Sequence, residues 1–109
     1  MITQLPHPIV IYFAISNGAD TPSLSACFAP DATVTDEGHT HRGIPAIQAW
    51  LDAARKKYAY TIEPLNARHG GDHFVVVGRV SGSFHGSPVE ITHTFVLAGD
   101  LIQSLEIHA

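Results

Sequence analysis

The sequence predicts a single α+β domain of 109 residues, in which helices from the first half cover an antiparallel sheet from the second half. Apolar residues recur at helical spacing in the first half, whereas after residue 58 they alternate with polar residues as in β-strands. Short glycine-bearing turns separate four long alternating segments, and turns this short join antiparallel neighbours. Helices followed by such a sheet are typical of the α+β class.

Two helices are predicted before the first strand. The first begins at Pro8, is apolar on nearly every side, and ends at Asn17-Gly18, a pair typical of a helix C-terminus. The second is short and opens at the capping pair Asp20-Thr21, followed by a proline in the first turn. It ends before Pro30 and places on one face Leu24, Cys27 and Phe28.

A short strand and a third helix complete the first half. The strand is Ala32–Asp36, with β-branched residues in alternation, and a polar segment over 37–43 follows it. The third helix begins near Pro45, and the basic residues Arg55–Lys57 complement the dipole at its C-terminus.

The second half is a meander of four strands. The turns between them contain Gly70-Gly71, Gly86 and Gly99. The predicted strands are Tyr58 to Arg68, Phe74 to Phe84, Val89 to Leu97 and Leu101 to His108.

Composition excludes several classes of function. The formal charge of -4 offers no attraction for a nucleic-acid backbone or an anionic membrane, and no apolar run is long enough to span a bilayer. Small neutral or apolar molecules are more compatible with this charge than nucleic acids or anionic membranes are. Cys27, a single cysteine, cannot form an internal disulfide, and Met1–Pro6 lacks the basic and apolar regions of a secretory signal. We therefore expect a cytoplasmic protein.

Three residues are candidates for chemistry. His93 shares a strand face with apolar residues, so its imidazole needs a hydrogen-bonding partner. Tyr12 lies within the apolar first helix and has the same need. Asp36 ends the short strand, where a carboxylate can face a cavity and accept a proton. Each also has a structural interpretation: a core histidine on a backbone carbonyl, a core tyrosine and a solvated turn acid.

Other candidate sites are weaker. His39 and His41 lie on one face of an extended segment, but no third ligand is evident, so no metal site is predicted. Cys27 fits a small buried hydrophobic residue. Arg79 either faces inward and binds a carboxylate ligand or forms a salt bridge at the sheet edge.

Three segments together resemble the ketosteroid isomerase and SnoaL-like polyketide cyclase branch of the nuclear transport factor 2-like superfamily. Tyr12 to Asp20 is similar to the first-helix signature of the isomerases, and Phe28 to Asp36 to the segment that ends in their catalytic acid. Arg42 to Ile47 resembles the stretch that leads into the third helix. The resemblance covers nearly the whole chain and implies one SnoaL-like domain over residues 1–109, a cone-shaped, cystatin-like roll with a curved antiparallel sheet wrapped around three N-terminal helices.

The resemblance also implies roles for residues. Asp36 matches the general base, and Tyr12 the hydrogen-bond donor to the developing oxyanion. His93 stands where the steroid isomerases have a protonated aspartic acid, and it retains the ability to donate an N–H. The implied contacts to the ligand are Trp50, Phe95 and Phe28.

The implied activity is proton transfer on a small apolar or carbonyl-bearing compound, without a cofactor, by an isomerase or cyclase. Two alternatives stay open. One is a dimeric module that binds a hydrophobic ligand without transforming it; the other is a dehydratase that uses Asp36 and His93 as an acid–base pair. Short uncharged residues on the back of the sheet, such as Thr92 and Thr94, make a homodimer plausible.

Overall fold

The computed structural model describes residues 5–18 and 24–108. These form two α-helices, one short 3-10 turn and a sheet of six strands. The helices are α1 (His7–Ser16) and α2 (Ile44–Tyr58); the strands are β1 (Phe28–Asp36), β2 (His39–Arg42), β3 (Thr61–Gly70), β4 (His73–Ser81), β5 (Val89–Ala98) and β6 (Leu101–His108). The predicted α+β class is confirmed.

Helix α1 has the predicted position and character. Pro8 lies in its first turn, where its missing N–H costs no hydrogen bond, and Asn17 follows the last residue. Most side chains of the helix are buried, and Val10 is the large apolar residue left exposed among the described residues. The helix therefore packs as an interior element.

The predicted second helix is wrong over the residues that the structure describes. Leu24–Ala26 is a single 3-10 turn, and Phe28 already belongs to β1; the predicted cap at Asp20-Thr21 lies outside the described residues. The reason is a pairing distant in sequence: the N–H of Ile102 donates to the carbonyl of Cys27 across 2.7 Å. The described part of the chain thus has two α-helices, not the three predicted helices.

The sheet has the order β2-β1-β6-β5-β4-β3. Neighbours in the β3 to β6 meander are antiparallel as predicted, whereas β1 and β6 run parallel. Between Phe28 and Thr33 the β1–β6 register shifts, and Pro30, which has no N–H for a ladder, lies at this irregularity. The sheet is thus mixed, with one parallel pair.

The polar segment after β1 forms part of a hairpin. Glu37 and Gly38 both have positive φ, at 52° and 78°, and connect β1 to β2 in the two-residue form that suits twisted hairpins. The tight turn places Asp36 directly opposite His39. Asp36 is thereby held at the end of a paired strand.

Helix α2 crosses one face of the sheet and buries Ile47 and Leu51. Its basic last turn agrees with the prediction, and Ala59 ends it in a left-handed conformation. The core lies between the helices and the inner sheet face. None of the described helices is long and apolar enough to cross a membrane.

Candidate active site

A cavity of about 650 Å³ lies between helix α2, the β1–β2 hairpin and the inner face of the sheet. A hollow of this size holds a small organic molecule. Aliphatic side chains make up much of its wall, because alternate residues of four strands point inward. These are Ile62, Val80, Val89, Ile91 and Ile107, and helix α2 adds Ala54.

Asp36 is the half-buried carboxylate of this cavity. Its Oδ2 atom accepts a hydrogen bond of 3.0 Å from Nε1 of Trp50 on α2. Trp50 also lines the cavity and packs 6.1 Å, ring to ring, from His41. One oxygen of the carboxylate is therefore positioned by the indole, and no side-chain hydrogen bond to Oδ1 occurs among the described residues.

Tyr12 reaches the same cavity from α1 with only 1% of its surface exposed. Three aromatic rings enclose it edge-on at 5.3 to 5.9 Å: Phe13, Phe28 and Phe95. Burial raises the pKa of Tyr12 far above its ordinary value, because an ionised phenolate would lose its hydration. The hydroxyl therefore stays protonated and is a hydrogen-bond donor.

The Ser16 hydroxyl lies one helical turn after Tyr12. It is fully enclosed and, among the described residues, has no hydrogen-bond partner. Burial is the largest influence on the two neighbouring phenols, and it raises the pKa of both Tyr12 and Tyr60. The lining of the cavity thus contains two un-ionised phenols.

His93 is the third predicted residue that lines the cavity, and it is 2% exposed. Burial lowers its pKa to about 4, against the opposing influence of two backbone carbonyls and Asp36, so the ring is neutral near pH 7. Its Nδ1 lies 3.2 Å from the carbonyl oxygen of Ile91. A carbonyl only accepts, so Nδ1 carries the ring proton and Nε2 carries a lone pair. This polarity differs from the donor role that the resemblance implies.

Gly78 allows the β4 backbone to approach His93 closely. A Cβ atom at this position would lie 2.9 Å from Cγ2 of Ile62 and 3.5 Å from Cε1 of His93. Ile62, a lining residue, would then have to move, whereas the distance to His93 is that of an ordinary van der Waals contact. The missing side chain therefore helps to set the shape of the cavity.

Two of the predicted ligand contacts lie outside the cavity lining. Phe28 and Phe95 are fully buried and pack edge-on against Tyr12, which does line the cavity. Strand alternation gives the face of a side chain but not its depth beneath the helices. Both phenylalanines support a lining residue.

The other sequence candidates lie elsewhere. Arg79 is exposed and pairs with Glu63 across 3.6 Å, which agrees with the salt bridge at the sheet edge and not with an inward, ligand-binding arginine. Cys27 is buried, and burial raises the pKa of its thiol to about 12. His39 is exposed on β2, and no group of three metal-ligating side chains occurs within residues 5–18 and 24–108.

Several lining residues escaped the sequence analysis. Tyr58 and Phe84 form an edge-to-face pair at 5.7 Å, and Tyr60 also lines the cavity. Tyr58 and Tyr60 flank the left-handed Ala59, so a helix end and not strand alternation sets their directions. Glu37 adds a second carboxylate, and the lining contains no lysine or arginine among the described residues.

Comparison with known proteins gives a consistent result. A family model for the SnoaL-like domain matches residues 10–105. A crystal structure of a provisionally assigned polyketide cyclase from Sinorhizobium meliloti is 44% identical, covers 95% of both chains and has a TM-score of 0.90. No curated protein matches the chain.

Two further structures have the same fold at low identity. A protein with a ketosteroid isomerase-like fold from Catenulispora acidiphila, solved with trimethylamine, is 21% identical, covers 97% of this chain and 87% of its own, and has a TM-score of 0.83. A nuclear transport factor 2-like protein of unknown function from Cytophaga hutchinsonii is 12% identical, with coverage of 97% and 91% and a TM-score of 0.73.

Proposed function

The chain belongs to the SnoaL-like domain family, and from that premise we propose that it is a cofactor-independent isomerase or cyclase. Its substrate is a small, largely apolar carbonyl compound. One observation carries the proposal: the Asp36 carboxylate and the un-ionised Tyr12 phenol border a single apolar cavity. Removal of a proton next to a carbonyl needs this combination, a base beside the carbon and a donor at the oxygen.

The chemical step begins at Asp36. Its free oxygen takes a proton from the carbon next to the carbonyl; the C–H electron pair forms the new C=C bond, and the C=O pair moves onto oxygen. Tyr12 donates a hydrogen bond to that oxyanion. A positioned base contributes about 10²- to 10⁴-fold in rate, and one oxyanion donor about 10²- to 10³-fold.

The fate of the enolate distinguishes the two reactions. In an isomerisation, Asp36 returns the proton to a different carbon of the substrate. In a cyclisation, the enolate carbon attacks a second carbonyl carbon, and the proton passes to the new alkoxide. The Sinorhizobium meliloti protein is 44% identical and is provisionally assigned as a polyketide cyclase, which supports cyclisation as one of the two proposed reactions. Both reactions use the same base and the same donor.

The test is deuterium exchange at the carbon next to the carbonyl of 1-tetralone in D₂O, followed by mass spectrometry. We expect exchange above the buffer rate with the wild-type protein and at the buffer rate with Asp36→Asn, whose amide still accepts from Trp50. Asp31→Asn is the matched control, since Asp31 is exposed on the same strand. Full exchange by Asp36→Asn would show that another group is the base.

A hydrophobic-ligand-binding module without catalysis has a different signature. Trp50 lines the cavity and is the single tryptophan of the chain, so its fluorescence reports binding. If 1-tetralone changes this fluorescence while the wild-type protein produces no exchange, binding without turnover is the better description.

The proposal includes a homodimer formed through the outward face of the sheet. This face consists mostly of short, partly exposed and uncharged side chains, which suit close packing between copies. They are Val75, Val77, Thr92, Thr94, Val96 and Ser104. The cavity opens on the other face, so pairing leaves it accessible.

A further inference from the structure

We propose that the natural ligand carries, besides its carbonyl group, a hydroxyl that donates a hydrogen bond to Nε2 of His93. The substrate class is then a hydroxy-carbonyl compound. This inference rests on the proposed function for the carbonyl site at Tyr12. It assigns to His93 the part of a specificity-determining acceptor.

The first step is the position of the ring proton. Nδ1 of His93 lies 3.2 Å from the carbonyl oxygen of Ile91, and two lone pairs facing each other at this distance would repel. The proton therefore stays on Nδ1 while the ring is neutral. Only Nε2 is left for a ligand, and in this tautomer Nε2 accepts.

The second step is the lack of a protein donor for Nε2. The neighbours of the imidazole are rings: Phe13 edge-on at 5.5 Å, Phe95 stacked at 6.2 Å and Tyr12 at 6.4 Å. Among the described residues, no side chain donates a hydrogen bond to Nε2. Among the described residues, the enclosed side-chain atom without a partner is the Ser16 hydroxyl oxygen and not Nε2, so Nε2 is accessible from the cavity that His93 lines, where a ligand donor can meet it.

The third step is the polarity of the pair. Tyr12 is held as a donor and His93 as an acceptor, and no hydrogen bond joins the two in the described structure. A ligand that satisfies both brings an acceptor for the phenol and a donor for the imidazole. A carbonyl oxygen on Tyr12 and a hydroxyl on His93 meet this requirement.

The tautomer is tested on the wild-type protein without any ligand. Long-range ¹H–¹⁵N correlation spectra distinguish protonated from unprotonated ring nitrogens in neutral histidines. We expect His93 at pH 7 to be protonated on Nδ1 only. A proton on Nε2, or on both nitrogens, would overturn the inference, and this readout is independent of activity and of variant folding.

The ligand preference is tested with 6-hydroxy-1-tetralone, 1-tetralone and 6-methoxy-1-tetralone, and with the 5- and 7-substituted isomers so that the hydroxyl samples several positions. Binding is measured by calorimetry. For the best-fitting isomer, we expect the hydroxyl compound to bind at least about tenfold more tightly than the other two, because only it brings a donor to Nε2 of His93. In His93→Phe, this ratio falls to about one.

Two further variants separate the inference from the proposed function. Tyr12→Phe removes the carbonyl donor, so it weakens all ketones alike and leaves the hydroxyl preference in place. His93→Asn retains an acceptor and keeps part of the preference. If ketones bind through Tyr12 but no hydroxyl isomer is preferred, the inference fails alone. If Tyr12→Phe changes the affinity of none of the ketones, the proposed carbonyl site fails as well.

Discussion

The indole N–H of Trp50 donates a 3.0 Å hydrogen bond to Oδ2 of Asp36, joining the middle of helix α2 to the end of strand β1. The bond fixes the rotamer of the carboxylate and satisfies one of its oxygens. Because the rotamer is fixed, the direction in which the other oxygen, Oδ1, points is fixed as well. Helix α2 thus contributes both to the wall of the cavity and to the orientation of the proposed base.

Trp50→Phe keeps an aromatic wall but removes the donor to Asp36. We expect the rate of deuterium exchange into 1-tetralone to fall by about tenfold to a hundredfold, since a hydrogen bond to a charged group contributes about 1.5–3 kcal/mol. Affinity, measured by calorimetry, changes little. Tyr58→Phe is the control for a change in the same wall. Equal exchange rates in Trp50→Phe and wild type would contradict a positioning role.

Asn17→Ala is expected to lower the free energy of unfolding by about 1–3 kcal/mol. The Asn17 side chain accepts from the N–H of Ile62 at 2.6 Å and donates to its carbonyl at 2.9 Å, so it pairs with the edge strand as another strand would. Urea titration measures the change. Asn66→Ala, at an exposed position of the same strand, is expected to have little effect; an equal loss in both variants would rule out the bridge as the cause.

His93 predicts a specific dependence of stability on pH. Its pKa is about 4 in the folded protein and about 6.5 when unfolded, so between these values the unfolded chain binds more protons. Stability contributed by the neutral ring is complete above about pH 6.5 and is lost as the pH falls toward 4, by about 3 kcal/mol. Denaturation at several pH values should show a shallower slope for His93→Phe. Identical slopes would mean that His93 is not buried in its neutral form.

Thr94→Arg tests the homodimer. The residue lies in the middle of the outward sheet face, paired with Val75 and Glu106, so an arginine there would be desolvated between two copies. We expect light scattering after gel filtration to give a dimer for the wild type and a monomer for Thr94→Arg. Thr61→Arg, on the edge strand, should remain dimeric. A wild-type monomer at all concentrations would exclude the dimer.

The sequence was informative where local patterns decide the structure. Period-two alternation along β5 places His93 on the inner face, and a nearly all-apolar helix places Tyr12 in the interior. Both placements could be predicted because the apolar neighbours of each residue, on the same strand or helix, show which side of that element is buried. These two side chains and Asp36 line the same cavity, as the resemblance led us to expect.

Local sequence patterns could not predict the features that depend on contacts between residues far apart in the chain. The residues around Phe28 have the spacing of a short helix, yet pairing with β6 makes them a strand. The positions of Tyr58 and Tyr60 depend on how helix α2 ends at Ala59. The tautomer of His93 depends on its backbone surroundings, above all the carbonyl oxygen of Ile91 at 3.2 Å, whose position no sequence pattern specifies.

The parallel pairing of β1 with β6 also bears on how the chain folds. Thr33 pairs with Ser104 and Val34 with Leu105, contacts that span most of the sequence. Closing so long a loop is slow, because its entropy is lost before the contacts form. During synthesis, β1 leaves the ribosome well before its neighbour β6 exists. The cavity beside the proposed base, whose lining includes Ile107 and His108 of β6, is therefore completed only when this last strand is added.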